Sequence, residues 1–536
     1  MNGPHGARFS GRAEPRVHSR TFGRALLVVS LVGAPPLACL SAQCPDGSSP
    51  PCRGAARPAA PAANSVAVLY FDNLSPDTTD AYLADGLTEE VASRLGDIRR
   101  LLVKQASRET VRRLRESTPD YRISMGRAMA VRYLVEGSLR RAGPRVRVVA
   151  RLVNAENGFR TWGATYDRAA ADLLSLQEDI AREVATAIGG QLAPAERTAL
   201  GGRPTGNPDA YEHFLRGNYY LAKRSASALT RAVEEYEAAS RLDPMFSRAL
   251  ARAGYAYATN VRYGWSLPGL SRDTMLARAS ASASRALEQD SSVSDAWMAR
   301  GFVLTFLHPR TFEGALAAFE RALALDPRNS EGLGVYAAAL RTLGRDSAAR
   351  AIALRSLAIE PERAVTLGSL GLLSFLERRY DDARRWVDSS LRVNPEFFFG
   401  YLLRARTRLV RGDAPGARAD AEAALRLGSA DSSLGEALLA IIEARRGDSV
   451  AARDHLSHIA GSLPGMMSQV HESAAEEGLL PAAALLSLGD REGALIFLEG
   501  VQPRGVRFWS GLRAPEFDPL RADPRFQRLV EESRPR

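Results

Sequence analysis

The spacing of apolar residues changes along the chain and predicts two architectures. Between residues 65 and 200, short β-branched runs alternate with stretches whose apolar residues recur every three to four positions, which indicates strands and helices. The predicted strands are Ser65–Phe71, Leu101–Val103, Tyr133–Leu139, Arg145–Val153 and Phe159–Tyr166. From residue 210 to 503 only the helical period continues. We therefore predict an α+β amino-terminal domain, a mixed sheet with packed helices, followed by an all-α solenoid.

Turn and cap residues predict boundaries inside the first unit. Asn157-Gly158 stands between two strand-like runs, which is a strong hairpin signal. Ser107 and Ser124 are each predicted to cap a helix. Asp72-Asn73 is expected to end the first strand.

Several stretches of this unit resemble one domain family. Val66–Leu74 followed by Tyr82–Glu90 is similar to the opening of the TolB amino-terminal or FlgO-like domain, and Tyr133–Ser138 and Trp162–Arg168 are similar to its later part. The resemblance implies that residues 65–200 form a binding or assembly module without a transferable catalytic role. In that family the domain often precedes tetratricopeptide repeats.

Prolines and small residues recur with one period in the helical region. Pro327, Pro361 and Pro395 are spaced 34 residues apart, in Leu-Asp-Pro, Ile-Glu-Pro and Val-Asn-Pro. Small residues in phase with them are predicted to lie where the two helices of a pair cross: Gly254 with Ala279, Gly301 with Ala315, Ala337 with Ala349, Gly371 with Ala383, Ala405 with Ala417, and Ala451 and Ala494 in weaker copies. A 34-residue period is typical of tetratricopeptide repeats.

The chain resembles the tetratricopeptide family over residues 210–503, with about eight helix pairs. Residues 201–209 are predicted to be a linker, and residues 504–536 a carboxy-terminal tail that caps the last pair. Each pair cannot bury its apolar face alone, so stacked pairs are expected to supply the core and to curve around a groove.

The amino terminus carries an export pattern. Five arginines precede the apolar run Ala25–Leu40, which is too short for a comfortable bilayer crossing and contains Pro35-Pro36. We predict a signal peptide over residues 1–42, cleaved after Ala42, which would carry a net +4 of the chain's formal +10 and leave +6. Lipoprotein processing at Cys39 and an uncleaved anchor are the alternatives.

Cleavage predicts a periplasmic or secreted protein, with no stable membrane span afterwards. Residues 43–64 are a Cys-, Pro- and Ala-rich linker in which Cys44 and Cys52 bracket a turn-rich loop. In an oxidising compartment these two cysteines are most simply a disulfide, the alternative being two unpaired thiols.

Known catalytic and metal-binding patterns are missing from the sequence. The chain's two lysines, Lys104 and Lys223, do not follow glycine, so a common phosphate-binding loop is excluded. The run Gly332–Ala337 imitates a dinucleotide fingerprint but follows no strand, and His455 and His458 are predicted to be solvated helix residues. We therefore predict that the protein is not an enzyme and that it binds no cofactor and no metal. Its basic runs are expected to be solvated helix and strand faces, so no nucleic-acid partner is predicted.

These observations favour a non-catalytic, extracytoplasmic scaffold that binds protein or peptide partners in its repeat groove. The ligand-sensing arm of a membrane-anchored signalling system is the alternative. The groove is expected to present five residues from the first helices of successive pairs: Tyr255, Phe302, Arg341, Phe375 and Arg406. The aromatic rings would anchor a partner, and the two arginines are expected to face solvent and hold a carboxylate. Packing between neighbouring repeats is the competing role for all five.

Overall fold

The computed structural model describes residues 61–428, 433–460, 479–501 and 504–535. The predicted signal peptide 1–42, the Cys44–Cys52 pair and most of the linker 43–64 lie outside these residues. Within the described ranges, no helix combines the length and the apolar character that a membrane crossing requires.

The amino-terminal unit is a mixed sheet covered by helices. Its strands are β1 (Ser65–Val68), β2 (Asp72–Asn73), β3 (Leu102–Gln105), β4 (Tyr133–Ala142), β5 (Arg145–Asn154) and β6 (Arg160–Ala169). Its helices are α1 (Ala81–Gly96), α2 (Arg108–Ser117), α3 (Tyr121–Met129), α4 (Leu173–Gly189) and α5 (Pro194–Leu200). The strand order is β3-β1-β4-β5-β6, and β2 pairs with β4 beside this path. β1 runs parallel to β3 and β4, whereas β4, β5 and β6 form antiparallel hairpins, so a mixed sheet is observed.

Four local predictions have clear outcomes. The Asn157-Gly158 hairpin is confirmed, with Gly158 at φ +76° between β5 and β6. Ser107 caps α2, because its hydroxyl accepts a hydrogen bond from the Thr110 backbone N–H. The prediction for Ser124 is wrong: α3 already begins at Tyr121, directly after a turn. Asp72-Asn73 does not merely end a strand, since it forms β2 against β4.

The described part of the array contains eight helix pairs. They are α6 (Pro208–Lys223) with α7 (Ala226–Leu242), α8 (Ser247–Tyr263) with α9 (Arg272–Gln289), α10 (Ser294–Leu307) with α11 (Ala315–Leu325), α12 (Ser330–Thr342) with α13 (Asp346–Ile359), α14 (Ala364–Leu376) with α15 (Tyr380–Val393), α16 (Phe398–Val410) with α17 (Ala414–Leu427), α18 (Ser433–Arg445) with α19 (Ser449–Ala460), and α20 (Leu480–Ser487) with α21 (Arg491–Gly500). Pro327, Pro361 and Pro395 follow the ends of α11, α13 and α15, as expected of a residue that cannot continue a helix.

The small residues lie at the helix crossings. A Cβ atom added to Gly301 would lie 3.1 Å from the Ala315 carbonyl oxygen, and one added to Gly371 would lie 3.4 Å from that of Ala383. These contacts confirm the predicted pairing of positions. The prediction for Ala451 is wrong, because the next residue, Ala452, is fully buried there. α18 and α19 begin 35 residues after α16 and α17, so the buried alanine comes one residue later than the 34-residue period implied.

We expect Ala383→Trp to loosen the array around α14–α17. Ala383 is fully buried against the backbone at Gly371, so an indole overpacks the crossing at a cost of about 1–3 kcal/mol or more. Hydrogen exchange should accelerate most in these four helices. Arg385→Trp, at an exposed position of the same helix, is the matched control and should change little. Equal exchange in the two variants would contradict the repeat register.

The chain ends in two short helices joined by a turn. α22 (Val506–Leu512) is followed by a 3-10 turn over Pro515–Leu520 and by α23 (Pro524–Ser533). α23 packs on α21, where Arg525 pairs with Glu499 at 2.6 Å. The last helix of the tail therefore lies against the second helix of the last described pair.

The array also contacts itself over a long sequence distance. The side chain of Asn394, in the loop after α15, donates hydrogen bonds of 3.1 Å to the carbonyl oxygens of Ala222 and Lys223. Lys223 in turn pairs with Glu396 at 3.1 Å. The first and fifth helix pairs are thus tied together.

Candidate functional site

The first helices of successive pairs form the inner layer of the array. α8, α10, α12, α14 and α16 each contact the next in this series as well as their own partner helix. We call their shared surface the inner groove. The helices run across the groove, so their amino ends line one edge of it and their carboxyl ends line the other.

The five predicted groove residues lie one on each of these helices, and the structure brings them together in part. The rings of Tyr255 and Phe302 are 5.3 Å apart, and the Arg406 guanidinium lies 4.7 Å from the Phe375 ring centre. Arg341 and Arg406 are each only 4% exposed. The expectation that the two arginines face solvent is therefore wrong.

The arginines are buried because the chain's own tail lies against them. We call residues 504–520 the tail segment. The Val506 N–H donates to the Pro309 carbonyl at 2.9 Å, just after α10. The Arg507 guanidinium lies 4.6 Å from the Phe306 ring centre and donates to Thr305 at 2.8 Å. The tail segment thus enters the groove at the carboxyl end of α10.

The same segment continues along the carboxyl ends of the next three inner helices. Arg341 of α12 contacts the Ser510 hydroxyl at 3.5 Å, and Arg378, after α14, donates to the Asp518 carboxylate at 2.5 Å. A Cβ atom added to Gly344 would lie 2.6 Å from the Trp509 ring, so the turn after α12 accommodates that ring closely. The sequence predicted a terminal cap and missed this occupation of the groove.

A buried ion pair fixes the end of the tail segment. Arg406 Nε and Nη2 donate to the two oxygens of Glu516 at 2.7 and 3.1 Å, a forked arrangement. The two side chains are 4% and 7% exposed. Burial raises the pKa of the Glu516 carboxyl, but the Arg406 charge and hydrogen bonds outweigh it and hold that pKa below its ordinary value.

At the amino ends of the inner helices lies a second feature, a polar cavity of about 690 Å³. Its walls come from α1 and β3 of the mixed-sheet unit and from the first turns of α8, α10, α12 and α14. Glu362 accepts hydrogen bonds from the Ser107 N–H and the Thr110 hydroxyl, and so connects the array to α2. The cavity therefore occupies the junction of the sheet unit and the array.

Glu331, in the first turn of α12, is the centre of the charges in this cavity. Its carboxylate pairs with Arg224 at 2.6 Å, with Arg363 at 3.0 Å and with Arg252. Burial raises the pKa of Glu331, but the three guanidinium groups, Arg252 foremost, hold it well below the ordinary value. The carboxylate is thus ionised throughout the neutral range and is shared by three arginines, of which Arg252 also pairs with Asp295 and Arg363 with Glu360.

Glu89, on α1, is a second carboxyl group of the cavity, and its pKa is shifted in the opposite direction from that of Glu331. The Tyr70 hydroxyl donates a hydrogen bond of 3.3 Å to its carboxyl group. Burial, followed by the charge of Glu360, raises the pKa of Glu89 to about 7. The group therefore exchanges its proton near neutral pH, where the Glu331 carboxylate does not.

We expect Glu89→Gln to change how stability depends on pH. A folded-state pKa of about 7, above the unfolded value of about 4.3, means that wild-type stability falls as pH rises between these values. The amide removes that loss, so the variant should be more stable by about 1–3 kcal/mol at pH 8 and equal at pH 4. Urea unfolding across this range measures it. Glu313→Gln, an exposed position, is the control, and parallel pH profiles for wild type and Glu89→Gln would count against a raised pKa of Glu89.

Comparisons with known proteins find partial similarity. No family model matches the chain. It is 30% identical over 235 residues to "Putative adenylate cyclase 3" of Rhizobium meliloti (strain 1021), a match covering 44% of this chain and 39% of that protein. Each curated relative is matched over at most 39% of its own length.

Solved structures with similar folds include "Functional Characterization of Pseudomonas Aeruginosa pilF", at 23% identity and TM-score 0.32, covering 42% of this chain and 96% of that one. Another is a thermophilic TPR protein from Thermus thermophilus, at 17% identity and TM-score 0.31, covering 37% and 99%.

The array's own geometry defines the class of protein. From α12 to α16 its helix pairs repeat every 34 residues, and the pairs cross at small residues and stack through their first helices. The array is a solenoid of stacked helix pairs joined to a small mixed-sheet unit, and its geometry is similar to that of tetratricopeptide repeats. The similarity of that unit to TolB amino-terminal or FlgO-like domains stays a prediction.

Proposed function

We propose that the protein is a non-catalytic, extracytoplasmic scaffold whose inner groove binds a segment of a partner protein. One observation supports this above the others: the groove already holds a segment of chain, the protein's own residues 504–520. Helical and turn backbone both fit there, and the segment is held by aromatic, arginine and carboxylate contacts. A groove that accommodates such a segment in cis has the shape and chemistry to accept one in trans.

The tail contacts define what a partner segment would carry. Phe306 and Phe312 take a guanidinium, at 4.6 and 5.4 Å from Arg507. Arg406 takes a carboxylate in a fork, and the buried Phe508 and Leu512 supply apolar area. The proposed partner therefore presents a short amphipathic helix with an arginine, followed by a glutamate. Of the five residues predicted from the sequence, Arg341 and Arg406 contact the tail segment directly.

The test uses a fluorescent peptide with the sequence of residues 504–520. A tethered segment competes at an effective concentration in the millimolar range, so wild-type protein should bind the peptide weakly. Glu516→Gln weakens the resident tail, and we expect this variant to bind the wild-type peptide at least about tenfold more tightly. Adding Arg406→Met should abolish the gain.

Two further outcomes make the test decisive. A peptide with glutamine in place of Glu516 should bind the Glu516→Gln protein more weakly than the wild-type peptide does, because it cannot form the forked ion pair with Arg406. If the Glu516→Gln protein binds neither peptide, the tail is a permanent part of the fold and the groove is not a recognition surface.

The extracytoplasmic part of the proposal depends on the export pattern of residues 1–42 and on the cysteines that follow it. We propose that the mature chain begins near Gln43 and carries a Cys44–Cys52 disulfide. Intact mass of the exported protein, measured with and without reductant, tests both features. A mature form that retains residues 1–24 would overturn cleavage, and two free thiols would overturn the disulfide.

A second candidate function is the sensing arm of a membrane-anchored signalling system. The similarity to a protein named as a putative adenylate cyclase favours it, although the match covers 39% of that protein. Under this candidate the apolar run at residues 25–40 stays as an anchor. Retention of residues 1–24 in the membrane fraction would therefore support the second function, and a soluble mature form would support the first.

A further inference from the structure

Two histidines and a glutamate converge on the seventh helix pair, away from the inner groove and the polar cavity. His455 and His458 stand three positions apart on α19, and Glu436 lies in the first turn of α18. In residues 61–428, 433–460, 479–501 and 504–535, this is the one group of three or more His, Cys, Asp or Glu side chains whose donor atoms lie within 4.8 Å of one another.

Both imidazoles face the same carboxylate oxygen. Nδ1 of His455 lies 2.8 Å from Glu436 Oε2, and Nδ1 of His458 lies 3.6 Å from that oxygen. Ligand atoms about 2.0–2.1 Å from a tetrahedral zinc ion are about 3.3 Å from one another. The two observed N–O separations bracket that value, and the three donor atoms all lie within 4.8 Å of one another.

Exposure decides what kind of metal site this geometry suits. The side chains of His455 and Glu436 are 18% and 20% exposed, which fixes them against the two helices, whereas that of His458 is 56% exposed. Three protein ligands with a solvent-facing side leave a fourth position for water or for a ligand from another molecule. Two imidazoles and one carboxylate suit zinc and its neighbours among the divalent transition metals, and do not suit magnesium, which prefers oxygen ligands.

We propose that Glu436, His455 and His458 form a binding site for one divalent transition-metal ion of the zinc type. The ion would join α18 to α19 and keep one coordination position open toward solvent. The sequence pattern missed this site because its carboxylate comes from the preceding helix, and the histidines alone match no zinc-protease motif.

The chain offers a matched control for this site. His213 and Glu235 form a similar contact, with Nδ1 2.6 Å from the carboxylate oxygen, on α6 and α7. That pair supplies two donors, whereas the proposed site supplies three. Replacing His213 should therefore leave metal binding unchanged.

The experiment is calorimetric titration of ZnCl₂ into full-length protein without a histidine tag, after EDTA treatment and its removal. We expect one ion per chain, and no heat from MgCl₂. His455→Ala, His458→Ala and Glu436→Gln should each weaken zinc binding by at least about tenfold, while His213→Ala binds as wild type does. The visible spectrum of the Co²⁺-loaded protein should show bands that the three ligand variants lose.

Thermal melting in EDTA tests whether the substitutions themselves destabilise the fold in the absence of metal. All four variants should melt like wild type there, and zinc should raise the melting temperature of wild type and His213→Ala but not of the ligand variants. Failure of wild type to take up zinc, or equal uptake by all three ligand variants, would overturn the proposal. The peptide experiment on the inner groove has an independent outcome, because neither set of variants touches the other site.

Discussion

Glu331→Gln is expected to lower the free energy of unfolding by about 3–5 kcal/mol, because it leaves the buried Arg224 without the carboxylate that it pairs with at 2.6 Å. Arg224 is 3% exposed, so water cannot replace the lost carboxylate. The amide keeps the shape of the side chain, and the loss therefore reports charge rather than packing. Urea unfolding at pH 7 measures it.

A surface glutamate provides the comparison. Glu237, on α7, pairs with Arg241 and Arg278, and its side chain is 34% exposed. Glu237→Gln should cost no more than about 1 kcal/mol. Raising the salt concentration should reduce this smaller loss and leave that of Glu331→Gln nearly unchanged, because buried pairs are weakly screened. Equal losses in the two variants would mean that the polar cavity is solvated.

Arg406→Met is expected to release the tail segment from the inner groove. The substitution leaves Glu516 buried and unpaired, a cost of about 3–5 kcal/mol that releasing the segment relieves. Limited proteolysis should then cut between residues 504 and 520, where wild type resists. Arg378→Met is the control: its partner Asp518 is 47% exposed, so the loss should stay within about 1 kcal/mol.

A double-mutant cycle separates the ion pair from packing. Combining Arg406→Met with Glu516→Leu removes both charges, and the pair should show a coupling energy of about 1–3 kcal/mol. The double variant is then less damaged than the sum of the two single variants predicts. Additive losses would show that Arg406 stabilises the tail through its contact with the Phe375 ring alone.

The predictable part of the structure is local or periodic. The proline spacing and the small residues predicted the helix ends and crossings, because both constraints act within one helix pair. The Asn157-Gly158 hairpin followed from backbone preferences of adjacent residues. The Ala451 error was a single position, and it came from extending the 34-residue period into a copy that begins 35 residues after the one before it.

The site features that escaped prediction are long-range. Arg224, Arg252, Glu331 and Arg363 come from four separate places in the array, and no spacing relates them. The tail segment likewise lies far along the chain from Arg341 and Arg406. The sequence around those arginines therefore gave no sign that the tail segment would cover them. The five groove residues lie on five successive first helices, but whether their surface is open depends on which other segments of the chain pack onto it.

The tie between Asn394 and the end of α6 changes how this solenoid should respond to force. An array whose pairs touch only their neighbours stretches like a spring and unravels one repeat at a time. Here the fifth pair holds the first, so the intervening repeats form a closed loop that bears load as one body. Pulling across residues 208–396 should therefore give a single high rupture followed by collapse of the loop, in place of a staircase of small steps.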